Sequence, residues 1–204
     1  AAGRPSLLFP EGRRSRSGSQ QAIHAGLLTI LFECLQESGR DIAVVPITLS
    51  YEVVPEDKEL CGEAPSTPFT DYINRRAGVQ MVLSDPISVS TLSHEEHPEC
   101  VLAARIGLAW QRQMRILPHH LVARVLSENG GAMPEKSLLL HLERFMDAHR
   151  GNYAVKSGRL NLSDGIRSLL ERDIIGIEGP RVLARNRNLL EFYAGAVITE
   201  EQSI

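Results

Sequence analysis

Residues 7–18 read Leu-Leu-Phe-Pro-Glu-Gly-Arg-Arg-Ser-Arg-Ser-Gly, and the rest of the chain can be interpreted outward from them. The apolar start of this stretch predicts the end of a buried strand over residues 5–9, which stops at Pro10 because proline cannot donate a hydrogen bond to a sheet. One carboxylate, three arginines within four positions, two serines and two glycines make up the remainder. We therefore expect a short strand that leads into a basic loop over residues 10–20.

The sequence after this loop has the spacing of a helix and then the composition of a strand. Apolar residues of 21–38 fall near one helical face, and Gly39 is suited to end that helix. Residues 42–49 have the β-branched composition of a buried parallel strand, with a bulge or a sheet edge expected at Pro46. Strand, helix and strand in this order predict a βαβ unit, and ligands of such sheets usually lie at the carboxyl ends of the strands.

The second half of the chain is rich in helix formers. We expect a first domain over residues 1–92 and a helical domain over 93–204, the latter a small helical or winged-helix-like module. The expected fold class is therefore α/β with a mostly helical tail. The further elements expected are a loop over 63–70, a strand over 79–83, helices over 98–128 with a break near Pro118, over 134–149, over 165–172 and over 188–198, a turn at 129–131 and a hairpin over 174–184.

The composition argues against several classes of protein. A net charge of −3 disfavours general nucleic-acid binding, although a local basic loop can coexist with it. Cys34, Cys61 and Cys100 are too widely spaced to suggest a zinc site or a disulfide framework, so reduced thiols facing the cytosol are expected. No apolar run approaches the ~20 residues that span a bilayer, and no signal peptide is visible.

The basic loop carries the groups that recognise a phosphate monoester on a small polyol. An arginine guanidinium is always charged and can bind two phosphate oxygens at once. Glycines let the backbone approach a ligand, and serine hydroxyls add donors. A carboxylate beside the arginines either holds a guanidinium or accepts a hydrogen bond from a substrate hydroxyl. The alternatives are a solvated basic turn and a nucleic-acid site, and the latter usually includes aromatic side chains, which this loop lacks.

Several sequence blocks resemble those of the glycerolipid acyltransferases. Residues 9–18 match the family pattern Phe-x-Glu-Gly-x-Arg-Ser-x-[Ser/Thr]-Gly, and residues 45–49, Val-Pro-Ile-Thr-Leu, match the block that comes next in the family. Residues 50–52, Ser-Tyr-Glu, and 59–62, Glu-Leu-Cys-Gly, are similar to segments of the glycerol-3-phosphate and dihydroxyacetone-phosphate acyltransferases. The shorter 1-acylglycerol-3-phosphate acyltransferases usually lack those segments. Residues 85–88, Asp-Pro-Ile-Ser, resemble a later turn of the longer enzymes, with aspartate in place of glutamate.

This resemblance implies the carboxyl-terminal part of the family's α/β sandwich, followed by a mostly helical tail domain. It implies transfer of an acyl group from acyl-CoA or acyl-carrier protein to the sn-1 hydroxyl of glycerol 3-phosphate, the first step of phospholipid synthesis, without a metal or redox cofactor. Acylation of dihydroxyacetone phosphate or of 1-acylglycerol 3-phosphate is the alternative. The residues assigned to the substrate by resemblance are Glu11, Gly12, Arg14, Ser15 and Arg16, with Pro46 shaping the strand behind them and Arg13 at the family's variable position.

The family's catalytic block, His-x-x-x-x-Asp, is not found in these 204 residues. The histidine of that block is a general base and the aspartate orients it, but none of the seven histidines here has an aspartate five positions later. We therefore expect the base to lie upstream in a longer protein, and the 204-residue chain alone to be inactive. The resemblance also implies a peripheral position on the cytosolic face of a membrane, because the products are lipids. The alternative from another class is a catalytically inactive phosphate- or membrane-binding module.

Two pairs of histidines have a functional and a structural interpretation. His94 and His97 flank two glutamates, so they are either metal ligands or parts of a solvated polar loop, and the loop is favoured. His119 and His120 lie at the start of a helix, where capping or surface positions are expected.

Two aromatic residues are also ambiguous. Trp110 lies among apolar residues at helical spacing, which favours a place in the core over a ligand platform. Tyr51 borders the strand over 42–49, where it either packs or forms a wall of the substrate channel.

Overall fold

A computed structural model describes residues 5–63, 78–148 and 162–197 of the chain. These residues form helices and small antiparallel sheets, so the mixed α/β class is confirmed in its broad form. The helices are α1 (Ala25–Ser38), α2 (Asp57–Leu60), α3 (Pro98–Gln113), α4 (Pro118–Glu128), α5 (Glu135–Ala148), α6 (Leu162–Glu171) and α7 (Arg187–Ala194), with a 3₁₀ turn at Ser90–Leu92. The strands are β1 (Ala43–Val44), β2 (Ile47–Tyr51), β3 (Val79–Leu83), β4 (Ile87–Ser88), β5 (Ala132–Pro134), β6 (Ile175–Glu178) and β7 (Arg181–Ala184).

The described residues divide into two compact units, each made of segments that are discontinuous in sequence. The boundary expected between the domains, after residue 92, falls within the first unit. The described segments of the first unit are 5–14, 21–47 and 83–110, and those of the second are 15–20, 48–63, 78–82, 111–148 and 162–197.

The core of the first unit is formed mainly by α1 and α3. α1 begins at Ala25, four residues later than expected, and ends at Gly39 as its spacing predicted. The φ of Gly39 is 63°, and its amide donates to the carbonyl of Leu35 at 2.9 Å, which is the geometry of a glycine cap. The buried core residues are Leu28, Phe32, Val89, Leu92, Leu102 and Ile106, and Trp110 packs against them as expected.

The predicted strand over residues 5–9 is wrong, and so is the βαβ unit that depended on it. These residues form no strand, and the side chains of Leu7, Leu8 and Phe9 are 72%, 46% and 69% exposed. A strand is stable only where a neighbouring strand takes up its hydrogen bonds, and prolines at both ends of this run remove two donors. No strand of the described residues pairs with it.

Residues 42–49 form parts of two strands instead of one, because Pro46 interrupts the run between β1 and β2. β1 pairs with β4 in antiparallel fashion, with Val44 opposite Ile87, so the expected parallel pairing is wrong. The disruption expected at Pro46 is confirmed, as a break between two strands.

β2 and β3 form a separate two-stranded sheet. The amide of Glu52 donates to the carbonyl of Gly78 at 2.9 Å at one end, and the amide of Ser84 donates to that of Pro46 at 2.9 Å at the other. The end of one segment therefore lies beside the start of the other at both ends of the pair, so the two strands run antiparallel. β3 confirms the strand expected over 79–83.

The second unit contains the helices and the hairpin that were expected for the tail. α4, β5, α5, α6, β6 and β7 follow one another, and the three strands pair antiparallel in the order β5–β7–β6. α7 then packs against α4. Most of the expected helices, the turn at 129–131 and the hairpin over 174–184 are confirmed within a few residues, whereas residues 64–70 of the expected loop lie outside the described part.

α6 passes very close to the start of α4 at Gly165. A Cβ placed on Gly165 would lie 2.6 Å from the carbonyl carbon of Pro118 and 2.9 Å from the amide nitrogen of His119. Such distances are well below van der Waals contact, so the approach of these two helices requires glycine.

We expect Gly165→Ala to lower the free energy of unfolding by about 1–3 kcal/mol, because the backbone of α4 must shift to admit the methyl group. Gly26→Ala in α1 is the control, since a Cβ there meets nothing within 4 Å. Alanine is the better helix former, so this control should gain about 0.5–1 kcal/mol. Urea denaturation followed by circular dichroism measures both changes, and a gain in stability at both positions would contradict the close crossing.

Candidate functional site

The base of the basic loop is a tight turn in the first unit. The amide of Gly12 donates to the carbonyl of Phe9 at 3.0 Å, and Gly12 has a φ of 68°. Glycine adopts this left-handed backbone at little cost. Pro10 is buried, and its carbonyl accepts a hydrogen bond from the amide of His24 at 2.8 Å, which fixes the turn to the start of α1. The loop expected over residues 10–20 is therefore confirmed.

The carboxylate of Glu11 closes this turn. Its Oε1 accepts a hydrogen bond from the amide of Gln21 at 2.6 Å. Partial burial raises the pKa of Glu11, and this hydrogen bond opposes the rise. The sequence suggested that this carboxylate holds a guanidinium or accepts a hydrogen bond from a substrate hydroxyl. In the structure it has a different role, because it joins the two ends of the loop through the backbone amide of Gln21.

His24 is a residue of this turn that the sequence analysis did not select. A Cβ on Gly12 would lie 3.1 Å from Cδ2 of His24, so the imidazole lies directly against the glycine that opens the loop. The side chain is exposed. The His-x-x-x-x-Asp spacing does not mark His24, because the turn and not the spacing brings its ring to Gly12.

The structure places the predicted substrate residues in both units. Glu11, Gly12 and Arg14 belong to the first unit, whereas Ser15 and Arg16 belong to the second. Both arginines are exposed to solvent, and Ser15 is half-buried with its Oγ 3.4 Å from Oγ of Ser17. Arg13, at the family's variable position, is also exposed.

Pro46 is buried in the first unit. It lies in the break between β1 and β2, and its carbonyl accepts the Ser84 amide at 2.9 Å.

The second half of the basic loop packs against the end of α7 within the second unit. A Cβ on Gly18, which has a φ of 73°, would overlap the carbonyl oxygen of Phe192. A Cβ on Gly195 would in turn overlap the carbonyl oxygen of Ser17. The two backbones therefore touch at two points, and at each of them one partner is a glycine.

A cleft of about 100 Å³ lies next to this contact. Gly18 forms part of its wall, together with Ser50 and Tyr51 of β2. His120, Phe192 and Tyr193 line it from the tail. The structure thus brings together the end of the basic loop, the Ser-Tyr segment of β2 and the tail. Tyr51 is half-buried and lines this cleft, and its role as a wall of a substrate channel stays a prediction.

A buried polar network lies beneath this cleft. Asp57, which is 3% exposed, accepts a hydrogen bond from the hydroxyl of Tyr193 at 2.6 Å and forms an ion pair with Arg172. The amide of Val54 donates to the same hydroxyl at 3.2 Å, and the guanidinium carbon of Arg172 lies 4.9 Å from the centre of the Tyr193 ring. Burial raises the pKa of Tyr193, so the phenol remains protonated and donates to Asp57.

His119 and His120 pack against Tyr193, and the surface position considered for them is wrong. They are 4% and 5% exposed, because the first turn of α4 faces the core of the second unit. The His119 ring lies 5.3 Å from the Tyr193 ring in an edge-on geometry, and the His120 ring stacks on it at 6.0 Å. The capping role is confirmed for His120, whose Nδ1 accepts the amide of Leu117 at 3.2 Å.

The environment of these two rings keeps them neutral. Burial lowers the pKa of His119 to about 4, with a further contribution from the positive charge of Arg172. Burial also lowers the pKa of His120 well below its ordinary range. A network of one ion pair, one phenol and two neutral imidazoles therefore supports the cleft.

Potential metal ligands are not grouped in the part of the chain that the structure describes. No group of three or more histidine, cysteine, aspartate or glutamate side chains is placed there to hold a metal ion. His94 and His97 are exposed, as expected for a solvated loop. Cys34, Cys61 and Cys100 form no disulfide within the described residues.

Within the described segments, no helix combines the length and the apolar character that crossing a bilayer requires. Comparison with models of known protein families finds no match, and comparison with curated proteins finds none either.

We expect the free energy of unfolding to fall as the pH is lowered from about 6.5 to about 4. In this window the unfolded chain protonates at position 119 while the folded chain keeps that imidazole neutral, so acid favours unfolding; above the window both states are neutral. His119→Phe keeps a ring at this position and should remove part of the pH dependence, on the order of 2–3 kcal/mol. Urea denaturation at several pH values measures it.

His94→Asn is the matched control for this experiment, because His94 is exposed. Its unfolding free energy should follow the pH as that of the unchanged chain does. The same pH dependence in His119→Phe and in the control would contradict a neutral, buried His119.

Proposed function

We propose that this chain is the acceptor-binding, carboxyl-terminal part of a glycerol-3-phosphate acyltransferase. The observation that supports this most is the loop with the family's Glu-Gly-x-Arg-Ser pattern, whose exposed arginines follow a turn fixed by the bond from Gln21 to Glu11. A phosphate monoester carries close to two negative charges at neutral pH, and arginines on a fixed backbone recognise it with least loss of freedom.

Following the family resemblance, the proposal assigns binding of the phosphate oxygens to Arg14 and Arg16 and a hydroxyl donor to Ser15. Gly12 allows the turn and the close approach of the acceptor. Glu11 holds the turn through its bond to the Gln21 amide at 2.6 Å, and its other oxygen is the candidate acceptor for a glycerol hydroxyl. Pro46 contributes at a distance, by shaping the strands β1 and β2.

The reaction that this acceptor site would serve is transfer of an acyl group from a thioester. The sn-1 hydroxyl oxygen attacks the thioester carbonyl carbon, the carbon–sulfur bond breaks, and the thiol of CoA or of acyl-carrier protein leaves. The hydroxyl proton passes to a general base, which returns it to the departing thiolate. The proposal assigns this base to a His-x-x-x-x-Asp block outside these residues. No redox or metal cofactor takes part in this scheme.

Other acceptors fit the same chemistry. Dihydroxyacetone phosphate carries the same phosphate and one free hydroxyl, and 1-acylglycerol 3-phosphate adds an acyl chain. The blocks at 50–52 and 59–62 favour the first-step enzymes over those that use the acylated acceptor. The proposal places the protein at the cytosolic face of a membrane, where its lipid products are released.

A second candidate function is docking on an anionic membrane without catalysis. The exposed side chains of Leu7, Leu8 and Phe9 precede Arg13 and Arg14 in the first unit. Apolar side chains next to basic residues can insert between lipid headgroups while the basic residues bind the headgroup phosphates. This candidate differs from the first in its ligand, which is a bilayer and not a soluble polyol phosphate.

We expect the chain to bind glycerol 3-phosphate in isothermal titration calorimetry, and Arg14→Ala to raise the Kd at least about 10-fold. The reason is the loss of a bidentate charged contact worth about 1.5–3 kcal/mol. Arg105→Ala in α3 is the matched control, since Arg105 is also exposed and lies outside the loop. Its Kd should remain within a factor of about two of the unchanged chain, because long-range charge is screened by salt.

Titrations with glycerol and with liposomes separate the two candidates. Binding of glycerol 3-phosphate but not of glycerol supports the acceptor site. Binding of anionic liposomes alone, with a loss in Leu8→Ser, would favour the membrane module and overturn the first proposal.

We also expect the 204-residue chain to show no acyl transfer from palmitoyl-CoA to glycerol 3-phosphate, because the sequence lacks the block that would supply the base. Release of the CoA thiol measures the reaction. Sustained turnover by the purified chain would mean that the base lies within these residues, and His24, beside Gly12, would then be the first histidine to replace.

A further inference from the structure

We propose that α7 holds the second half of the basic loop in its binding-competent conformation, with Gly195 and Gly18 as positioning residues. This inference rests on the proposed function, and it assigns a role in that function to the helical tail. Neither glycine is expected to touch the acceptor. Each acts through the backbone of residues 15–20, which carry Ser15 and Arg16.

The contact between the loop and α7 is made by backbone against backbone. At Gly18 a Cβ would overlap the Phe192 carbonyl oxygen and lie 2.9 Å from the carbonyl carbon. At Gly195 a Cβ would overlap the Ser17 carbonyl oxygen and lie 2.9 Å from Oγ of Ser19. A flexible side chain can rotate away from a new methyl group, but these carbonyl groups cannot, so substitution at either glycine must separate the loop from the helix.

α7 is a rigid support for this contact. Its start is capped by Asn186, whose Oδ1 accepts the amide of Leu189 at 3.0 Å. Phe192, Tyr193 and Ala194 at its end are all buried. Tyr193 is held further by its hydrogen bond to Asp57 at 2.6 Å. A segment that packs against α7 is therefore held against a well-fixed part of the core of the second unit.

Anchoring of the loop backbone affects how tightly the exposed Arg16 can bind an acceptor. Arg16 is exposed and Ser15 half-buried, and both lie within three residues of Gly18. If the backbone that carries them were mobile, ligand binding would have to order it, at a free-energy cost for each residue fixed. The contact with α7 orders the backbone before the ligand arrives, so the tail contributes to acceptor binding without touching the acceptor.

The test compares Gly18→Ala, Gly195→Ala and the double variant in the full 204-residue chain. Gly179→Ala is the control, because Gly179 has a φ of 56° and a Cβ there meets nothing within 4 Å. The control and Gly18→Ala impose the same left-handed strain on alanine, but only Gly18→Ala also disturbs the contact. Gly18 lies on the loop side of the contact, so this variant stays informative even if Gly195→Ala fails to fold.

Two readouts are needed. Hydrogen–deuterium exchange of the amides of residues 15–20 reports the order of the loop, and calorimetry reports the Kd for glycerol 3-phosphate. We expect faster exchange of these amides and a Kd raised about 5- to 30-fold in each single variant. This change in Kd corresponds to about 1–2 kcal/mol of binding free energy, which ligand binding must then spend on ordering the loop. The double variant should bind glycerol 3-phosphate with a Kd no higher than that of the weaker-binding single variant, because both substitutions act through one contact.

Each result has a distinct meaning. Unchanged exchange in both single variants overturns the anchoring, and faster exchange with an unchanged Kd overturns its role in binding. Additive effects of the two variants would show that they do not share one contact and would also overturn the inference. If the unchanged chain does not bind glycerol 3-phosphate while the variants exchange faster, the proposed function fails and the anchoring remains.

Discussion

The second unit depends on one buried carboxylate. Asp57 lies in α2, and its partners Arg172 and Tyr193 come from the end of α6 and from α7, so three distant parts of the sequence meet at one charge. A buried charge without its partners costs several kcal/mol, which makes this meeting all-or-none. The Tyr193 ring that this network holds also contacts His119 and His120 and lines the adjoining cleft.

The basic loop uses two kinds of chemistry for two purposes. Its arginines are exposed to solvent, where a ligand can reach them. A partly buried carboxylate, Glu11, and close backbone contacts at Gly18 and Gly195 help to fix the path of the loop.

The helices of this chain could be predicted from the spacing of apolar residues, whereas the buried polar contacts could not. The periods of α3, α4 and α5 and the turn chemistry of Gly130 and Gly131 are local properties, so they could be predicted. The strand expected over residues 5–9 failed because a strand needs a partner, which composition does not supply. Asp57 and Tyr193 carry no spacing signal, since only the folded chain brings them together. In the candidate site, Gly18 could be selected because it ends the motif over residues 9–18. No sequence pattern indicated that Gly195 packs against the same loop.

The pair Gly18 and Gly195 has an evolutionary consequence. Because each glycine makes room for a carbonyl group of the other segment, a side chain gained at either position is not offset by any change at the other. Compensation would require moving a helix or remaking a loop, neither of which a single substitution achieves. Related chains that keep this packing should therefore keep both glycines, and chains that lose one are expected to differ in the length or path of the loop.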